Sequence, residues 1–199
     1  LYWKHAPLNL YGTEYIEHEA LLNKASELAE KMLEENEEDT EGIFFKMATR
    51  SLLMKYYAEK GQSMKAIGEA RGVYKLVKQG FDLKEELIEF YFTTGAYNYY
   101  REYYPERYPA YKPFAWVFQS GDRALGLEQL HYTAKNATFT SAEAYAYLNY
   151  IYLRYEQDNE KALKCSSELA TKYPQNLYYL GNYIETLVLT KKYTEAQAL

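Results

Sequence analysis

The 199-residue chain has few cysteines and prolines and no apolar run long enough to cross a membrane. Its one cysteine, Cys165, excludes an internal disulfide framework, and the missing apolar run excludes a transmembrane helix within this sequence. The net charge is -5, and lysine and arginine are not concentrated in any segment. Because nucleic-acid sites need a concentrated basic surface, we do not expect a nucleic-acid partner.

Catalytic motifs are also missing from the chain. It contains no His-Glu-x-x-His, Gly-x-Ser-x-Gly, Walker or dinucleotide-binding glycine pattern. Glu128 and His131 form one Glu-x-x-His pair, whereas a di-iron bundle needs two such pairs and two further glutamates. Cys165 is interpreted as a small packing residue because its sequence neighbours include no base. The chain is therefore predicted to be a non-enzyme that holds no metal or cofactor.

Small residues recur at the positions where a helical hairpin needs them. They are Ala66, Gly126, Ala162 and Ala196, and the last two are 34 residues apart, which is the tetratricopeptide period. Two packed helices can approach closely only where a small side chain stands at their crossing point. The pattern predicts an all-α fold: a tetratricopeptide-like α-solenoid of helical hairpins. We expect one array over residues 1–199, with an incomplete last repeat.

Turn and capping residues set the predicted helix boundaries. Gly61 and Gly80 are expected to end helices, Asp82 to begin one, and Pro105 to end it. The first helix is expected to bury a stripe that includes Ile16, Leu28 and Ala29. Apart from the helix between Asp82 and Pro105, the predicted helices cover residues 14–36, 43–60, 63–78, 122–134, 142–155, 159–172 and 177–192.

An insertion interrupts the repeat at about residues 104–119. Ala66 and Gly126 are 60 residues apart, which is one repeat of about 34 residues plus about 26 more. Pro105, Pro109 and Pro113 all fall here, so residues 104–112 are expected to be extended, followed by a short helix over 113–118.

The order of residues from Gly95 to Leu130 resembles the inclusion-body-clearance and tetratricopeptide-39 family. The shared features are a Gly-Ala-Tyr-Asn helix, a proline break, an aromatic stretch that ends in Phe, a Ser-Gly-Asp-Arg turn and a Gly-Leu pair. In this chain these are residues 95–98, Pro105, Phe118, residues 120–123 and residues 126–127. The resemblance implies a non-enzymatic helical-repeat protein, and it carries over no catalytic residue.

Aromatic and cationic side chains are concentrated in and around the insertion. Such residues either fill the gap between repeats or form a binding surface, since Tyr and Trp supply rigid contact area and Arg supplies paired hydrogen bonds. The candidate binding residues are Asn98, Arg101, Tyr104, Tyr108, Trp116, Tyr147 and Arg154.

Two binding functions remain open for such a chain, besides an enzyme, for which it carries no catalytic motif. The first is a scaffold or adaptor that holds a protein or peptide partner in a concave groove, the usual use of helical solenoids. The alternative is an exported protein that binds a glycan or peptidoglycan fragment on the tyrosine-rich surface. The chain begins at Leu1 without methionine, which is consistent with a removed leader or a trimmed chain. We expect a soluble protein, either periplasmic or exported from a bacterium, or else cytoplasmic.

Overall fold

A computed structural model describes residues 12–109, 112 and 119–199, with the side chain of residue 71 left aside. All regular secondary structure in these residues is helical, which confirms the all-α prediction. The short helix predicted over 113–118 and the candidate residue Trp116 lie outside the described residues.

The described chain separates into two compact units, residues 12–90 and 91–199. The first contains α1 (Thr13–Glu35), α2 (Thr40–Glu59) and α3 (Ser63–Leu83), and ends where α4 (Phe90–Arg107) begins. The second contains the rest of α4, α5 (Arg123–Asn136), α6 (Ser141–Ile151) with a π-helical turn (Tyr152–Glu156), α7 (Asn159–Lys172), α8 (Leu177–Leu189) and the one-turn α9 (Tyr193–Gln197).

The four recurring small residues occupy the same position in four different helices. Each follows the N-cap residue of its helix by four positions and donates its backbone N–H to the carbonyl oxygen of that N-cap residue. The N···O distances are 3.1 Å for Ala66, 2.8 Å for Gly126, 3.0 Å for Ala162 and 3.1 Å for Ala196. The sequence period is therefore a period of helix starts, seen in α3, α5, α7 and α9.

The four small residues differ in burial, and the helices approach most closely where α5 meets α4. A Cβ atom on Gly126 would lie 2.5 Å from the backbone nitrogen of Tyr99 and 2.8 Å from the carbonyl oxygen of Gly95. Ala162 is fully buried and Ala66 is buried, while Ala196 is half-buried in the one-turn α9. Gly95 on α4 and Gly126 on α5 stand at this contact, where the two backbones leave no room for a side chain.

Three helix pairs are joined by the same kind of turn. Gly61, Gln157 and Lys191 have left-handed backbones with φ of 70°, 55° and 62°, and each precedes the small residue of the next helix by five positions. The residue after each donates its N–H back to the helix it leaves, to Tyr57, Tyr152 and Leu187 respectively. This confirms the prediction that Gly61 ends a helix. The bond to Tyr152 spans one residue more than the other two, because α6 ends in a π-helical turn.

The prediction that Gly80 ends a helix is wrong. α3 continues through Gly80 to Leu83, so Asp82 lies in its last turn and does not begin α4. A Cβ atom on Gly80 would lie 2.5 Å from Cδ1 of Phe90, whose ring is fully buried. The glycine therefore admits the Phe90 ring to a core that also contains Ile43, Phe44 and Met47.

The prediction that Pro105 breaks the helix is also wrong. α4 passes through Pro105 and ends at Arg107, so residues 104–107, which were predicted to be extended, are helical. Pro105 stands in the last turn, so its missing N–H and the clash of its ring with the preceding turn affect only the end of the helix. The ring of Tyr104 stacks on that of Tyr100 at 5.4 Å, and Tyr108 donates its N–H to the Tyr104 carbonyl at 2.8 Å, so the last turn is held on both sides of the proline.

The buried side of α1 also differs from the predicted stripe. Ala29 is buried as expected, but its buried companions are Tyr15 and Leu22, spaced seven residues apart, while Ile16 and Leu28 are more than half exposed. Tyr15 is fixed inward because its ring stacks on Tyr56 and its hydroxyl donates to Glu59.

Replacing Ala162 by leucine is expected to destabilise the protein. Ala162 is fully buried, and its carbonyl accepts a hydrogen bond from the Asn149 amide at 3.0 Å, so added methylenes must displace α6. Overpacking of this kind costs about 1–3 kcal/mol. Urea unfolding should show this loss for Ala162→Leu, with Ala124→Leu, on the exposed side of α5, as the control. Equal stability of the two variants would contradict the crossing at Ala162.

Gly126→Ala is expected to destabilise the second unit, because its Cβ would overlap the backbone of α4. The loss should be on the order of 2 kcal/mol. Gly181→Ala is the matched control: Gly181 lies in α8 with nothing within 4 Å of the added methyl, so helix propensity should make it up to about 1 kcal/mol more stable. Thermal melts of the two variants should shift in opposite directions. A Gly126→Ala protein as stable as the parent would disprove the backbone contact.

Candidate functional site

Tyrosine rings from α4 and α6 form one continuous cluster in the second unit. The closest pair is Tyr103 and Tyr155, stacked with centroids 4.3 Å apart, and Tyr99 stacks on Tyr103 at 5.7 Å. Tyr100 links the two helices through edge contacts with Tyr147 at 6.2 Å and Tyr155 at 6.1 Å. Tyr99 and Tyr103 are buried, so part of the cluster belongs to the core.

Helical spacing explains how one helix carries two rows of rings. Side chains four residues apart lie on the same face, so Tyr99 pairs with Tyr103, while Tyr100, Tyr104 and Tyr108 continue along a second row. Neighbouring centroids in the second row are 5.4 and 6.1 Å apart. The first row faces the core and the second reaches the surface, where Tyr104 is 38% and Tyr108 47% exposed.

A charged group fixes the inner row. Arg123, at the start of α5, donates from Nε and Nη2 to Glu156 Oε1 at 2.9 and 2.7 Å, and the Tyr99 hydroxyl donates to the same oxygen at 2.6 Å. The guanidinium also lies 5.7 Å from the ring centroids of Tyr99 and Tyr103. Glu156 is the last residue of the π-helical turn, so that turn places both Glu156 and Tyr155 against α4.

The outer part of the cluster is the candidate site. We define the tyrosine surface as Tyr104 on α4 and Tyr108 just after it, with Tyr147 and Tyr150 on α6; the last two are 40% and 45% exposed. The partly buried rings of Tyr100 and Tyr155 connect them: Tyr100 contacts Tyr104 and Tyr147, and Tyr155 contacts Tyr150.

The predicted site residues divide into those that reach this surface and those that do not. Tyr104, Tyr108 and Tyr147 are brought together on it. Asn98 is buried and donates its amide to Gln129 Oε1 at 2.9 Å, so it holds α4 to α5 and does not face outward. Arg154 lies one turn beyond Tyr150 and pairs with both carboxylate oxygens of Glu185, at 2.8 and 2.9 Å.

Arg101 packs at the turn before α5, where a Cβ atom on Gly121 would lie 2.9 Å from the Arg101 Cβ. Three important residues were not singled out from the sequence: Tyr150, Tyr155 and Glu156. Tyr155 and Glu156 are placed by the π-helical turn, which no sequence pattern indicates, whereas Tyr150 lies in α6 just before it. Arg123 was visible as the last residue of the Ser-Gly-Asp-Arg turn, but its ion-pair partner was not.

Burial holds the buried tyrosine hydroxyls of this unit in their neutral form. Burial raises the pKa of the Tyr99, Tyr100 and Tyr155 hydroxyls, and it raises the pKa of Tyr152 to about 12. At neutral pH these hydroxyls keep their protons, and that of Tyr99 donates to Glu156.

His131 and Cys165 lie near Tyr152 in the same unit. His131 Nε2 is 2.7 Å from the Tyr152 hydroxyl, and burial, then Lys135 and Lys161, lowers the pKa of His131. Burial, then the charge of Glu168, raises the pKa of the Cys165 thiol to about 12, so this thiol is a poor nucleophile at neutral pH.

Metal-binding clusters and membrane-spanning helices are both missing from the described residues. Within them no group of three or more His, Cys, Asp and Glu side chains is arranged to hold a metal ion. None of the helices described there combines the length and the apolar character needed to cross a membrane. Two surface grooves, of about 640 and 290 Å³, are lined by residues 156–160 with 189–191 and by residues that include Glu37, Asp82 and Glu86, so neither contains the tyrosine surface.

The buried hydroxyls predict a loss of stability in alkali. Tyr152 ionises near pH 12 when folded but near pH 10 when unfolded, so above about pH 10 the unfolded chain binds fewer protons and the free energy of unfolding falls with rising pH. Urea unfolding at several pH values should show this decline, and it should be shallower in Tyr152→Phe. Tyr178→Phe, which removes an exposed hydroxyl, should leave the slope unchanged. Identical slopes for the parent and Tyr152→Phe would contradict the burial of this hydroxyl.

Comparisons with known proteins add no relative to this description. A scan against protein-family models, a search of curated proteins and a search of solved structures each return no match to the chain.

Proposed function

We propose that the protein is a non-enzymatic helical-repeat scaffold of the tetratricopeptide type that binds a peptide segment of a protein partner on its tyrosine surface. The repeat is supported by the four small residues at one position in α3, α5, α7 and α9, and by the three matching left-handed turns. In a solenoid the first helices of successive hairpins line one face. In this arrangement α4 and α6 are such helices, and both contribute to the tyrosine surface.

The single observation that carries the binding proposal is the exposure of four neighbouring tyrosines above a rigid base. Tyr104, Tyr108, Tyr147 and Tyr150 are each between 38% and 47% exposed, while the rings beneath them are stacked and tied to Glu156. Pre-organised tyrosines supply large contact area at low cost in side-chain entropy, which is why they are enriched at protein interfaces.

A glycan ligand is the second candidate, because exposed tyrosine rings can also stack on sugars. Sugar sites need polar side chains beside the rings to bind the hydroxyl groups. Of the three predicted polar residues, Asn98 points inward to Gln129, Arg154 is paired with Glu185, and Arg101 packs against Gly121 at the turn before α5. This favours a peptide over a sugar.

Selection from a random peptide library displayed on phage tests the proposal. Enriched peptides, synthesised and titrated calorimetrically, should bind saturably, and Tyr104→Ala or Tyr147→Ala should weaken binding about tenfold or more. Tyr132→Ala is the matched control, since Tyr132 is 48% exposed but lies on α5. A library that yields no binder, or binders lost only in Tyr132→Ala, would refute the proposal.

A further inference from the structure

We propose that the outer side of α8 is a dimerisation surface, on which α8 of a second copy of this chain packs in the antiparallel direction. The inference goes beyond the tyrosine surface and does not depend on it. Glu185 is the only charged residue among the 13 residues of α8. Because a surface helix ordinarily carries charged residues along its solvent side, this composition indicates a helix that is covered on both sides.

A regularly spaced apolar stripe runs along the outer side of α8. The three buried residues of the helix mark its inner side and are Tyr179, Thr186 and Leu187. We define the α8 stripe as the four residues that follow one another at intervals of four, three and four on the opposite side: Leu177, Gly181, Ile184 and Val188. Leu177 is 69% and Val188 45% exposed, Gly181 is exposed, and Ile184 is half-buried. This spacing is the one through which two helices pack side by side.

Gly181 makes a notch in the α8 stripe. A Cβ atom added to it would meet nothing within 4 Å, so this glycine makes room for no other group in the described part of the chain. Glycine weakens the interior of a helix relative to alanine, but it lets a second helix come close. α4 and α5 already show this kind of contact, because Gly95 and Gly126 stand where their backbones meet. The notch therefore favours another helix as the occupant of the outer side.

The α8 stripe is complementary to itself when the second helix runs antiparallel. Aligning the centres of the two helices places Leu177 of one copy opposite Val188 of the other, and Gly181 opposite Ile184, because both pairs are symmetric about the same midpoint. Each Ile184 side chain then enters the notch at Gly181 of the other copy. Two-fold symmetric dimers require this reciprocity, in which residue i meets residue j and j meets i. Parallel helices would instead leave two glycines facing each other.

The charges along α8 also favour a partner as uncharged as α8 itself. Glu185 stands beside the α8 stripe, and its two carboxylate oxygens accept hydrogen bonds from Arg154 at 2.8 and 2.9 Å. The next charges along the chain are Lys172 before α8 and Lys191 and Lys192 after it. Antiparallel packing brings these basic ends near each other, so added salt should screen their repulsion and strengthen the dimer.

The size of the surface sets the expected affinity. Beside the α8 stripe, Tyr178 and Leu189 add apolar area, at 49% and 45% exposed. A helix of 13 residues is about 20 Å long, so the pair buries less than the roughly 800 Å² per partner of a standard interface. We therefore expect a weak dimer, with a dissociation constant on the order of 10–100 μM.

Sedimentation equilibrium of the full chain, from about 5 to about 500 μM, tests the proposal. The parent protein should change from monomer to dimer over this range. Val188→Glu, which places a charge on the α8 stripe, and Gly181→Leu, which fills the notch, should each weaken dimerisation about tenfold or more. Gly181→Ala keeps the side chain small and should still dimerise.

Two substitutions on α3 are the matched controls. Met64 is 82% exposed, and a Cβ atom on Gly68 would also meet nothing within 4 Å. Met64→Glu and Gly68→Leu should therefore leave dimerisation unchanged. Far-UV circular dichroism confirms that every variant is folded.

Cysteine cross-linking tests the direction of the helices. A mixture of Leu177→Cys and Val188→Cys proteins should form a disulfide-linked dimer in oxidised glutathione, whereas neither variant alone should do so. Cys165 is buried and does not compete for the oxidant.

The contrary results are equally distinct. A chain that stays monomeric at about 500 μM overturns the proposal. A dimer that survives both Val188→Glu and Gly181→Leu forms through another surface and also overturns it. Association that increases in Gly181→Leu indicates unspecific apolar contact, and cross-linking of Leu177→Cys to itself indicates parallel helices; either result contradicts the antiparallel packing.

Discussion

The close approach of paired helices is the constraint on which this fold depends. Where α4 and α5 meet, Gly95 and Gly126 face each other and leave no room for a Cβ atom on Gly126. Each of α3, α5, α7 and α9 has a small residue at the same distance from its start, so the starts of these helices share one geometry. Two of these helix starts also share a cap: Asp122 and Asp158 each accept a hydrogen bond from a backbone N–H in the first turn of the helix that they precede.

The tyrosine cluster combines a structural and a surface role in one set of rings. Its inner members are fixed by Glu156, which binds both Arg123 and the Tyr99 hydroxyl, and a π-helical turn brings that carboxylate into place. The outer rings pack on these fixed inner rings and are partly exposed at the surface. The inner rings therefore fill the core, while the outer rings form the surface that we propose binds a partner.

Local signals predicted the helices well and their packing less well. Gly61 fixed a boundary because its effect is confined to one turn, whereas Asp82, which was predicted to begin α4, lies in the last turn of α3. Gly80 and Pro105 misled because their roles depend on partners elsewhere: the Phe90 ring in one case and the stacked tyrosines of the last turn in the other. At the site, tyrosine spacing indicated Tyr104 and Tyr108, but the inward turn of Asn98 toward Gln129 is a contact between residues 31 positions apart, which helical periodicity cannot specify.

Hydroxyl-radical footprinting with mass spectrometry, carried out with and without a peptide selected for binding, tests the central claim most directly. The account predicts that labelling falls at Tyr104, Tyr108, Tyr147 and Tyr150, while Tyr132 and Tyr178, which are similarly exposed, are labelled as before. Protection at Tyr132 or Tyr178 with unchanged labelling of the four surface tyrosines would contradict it.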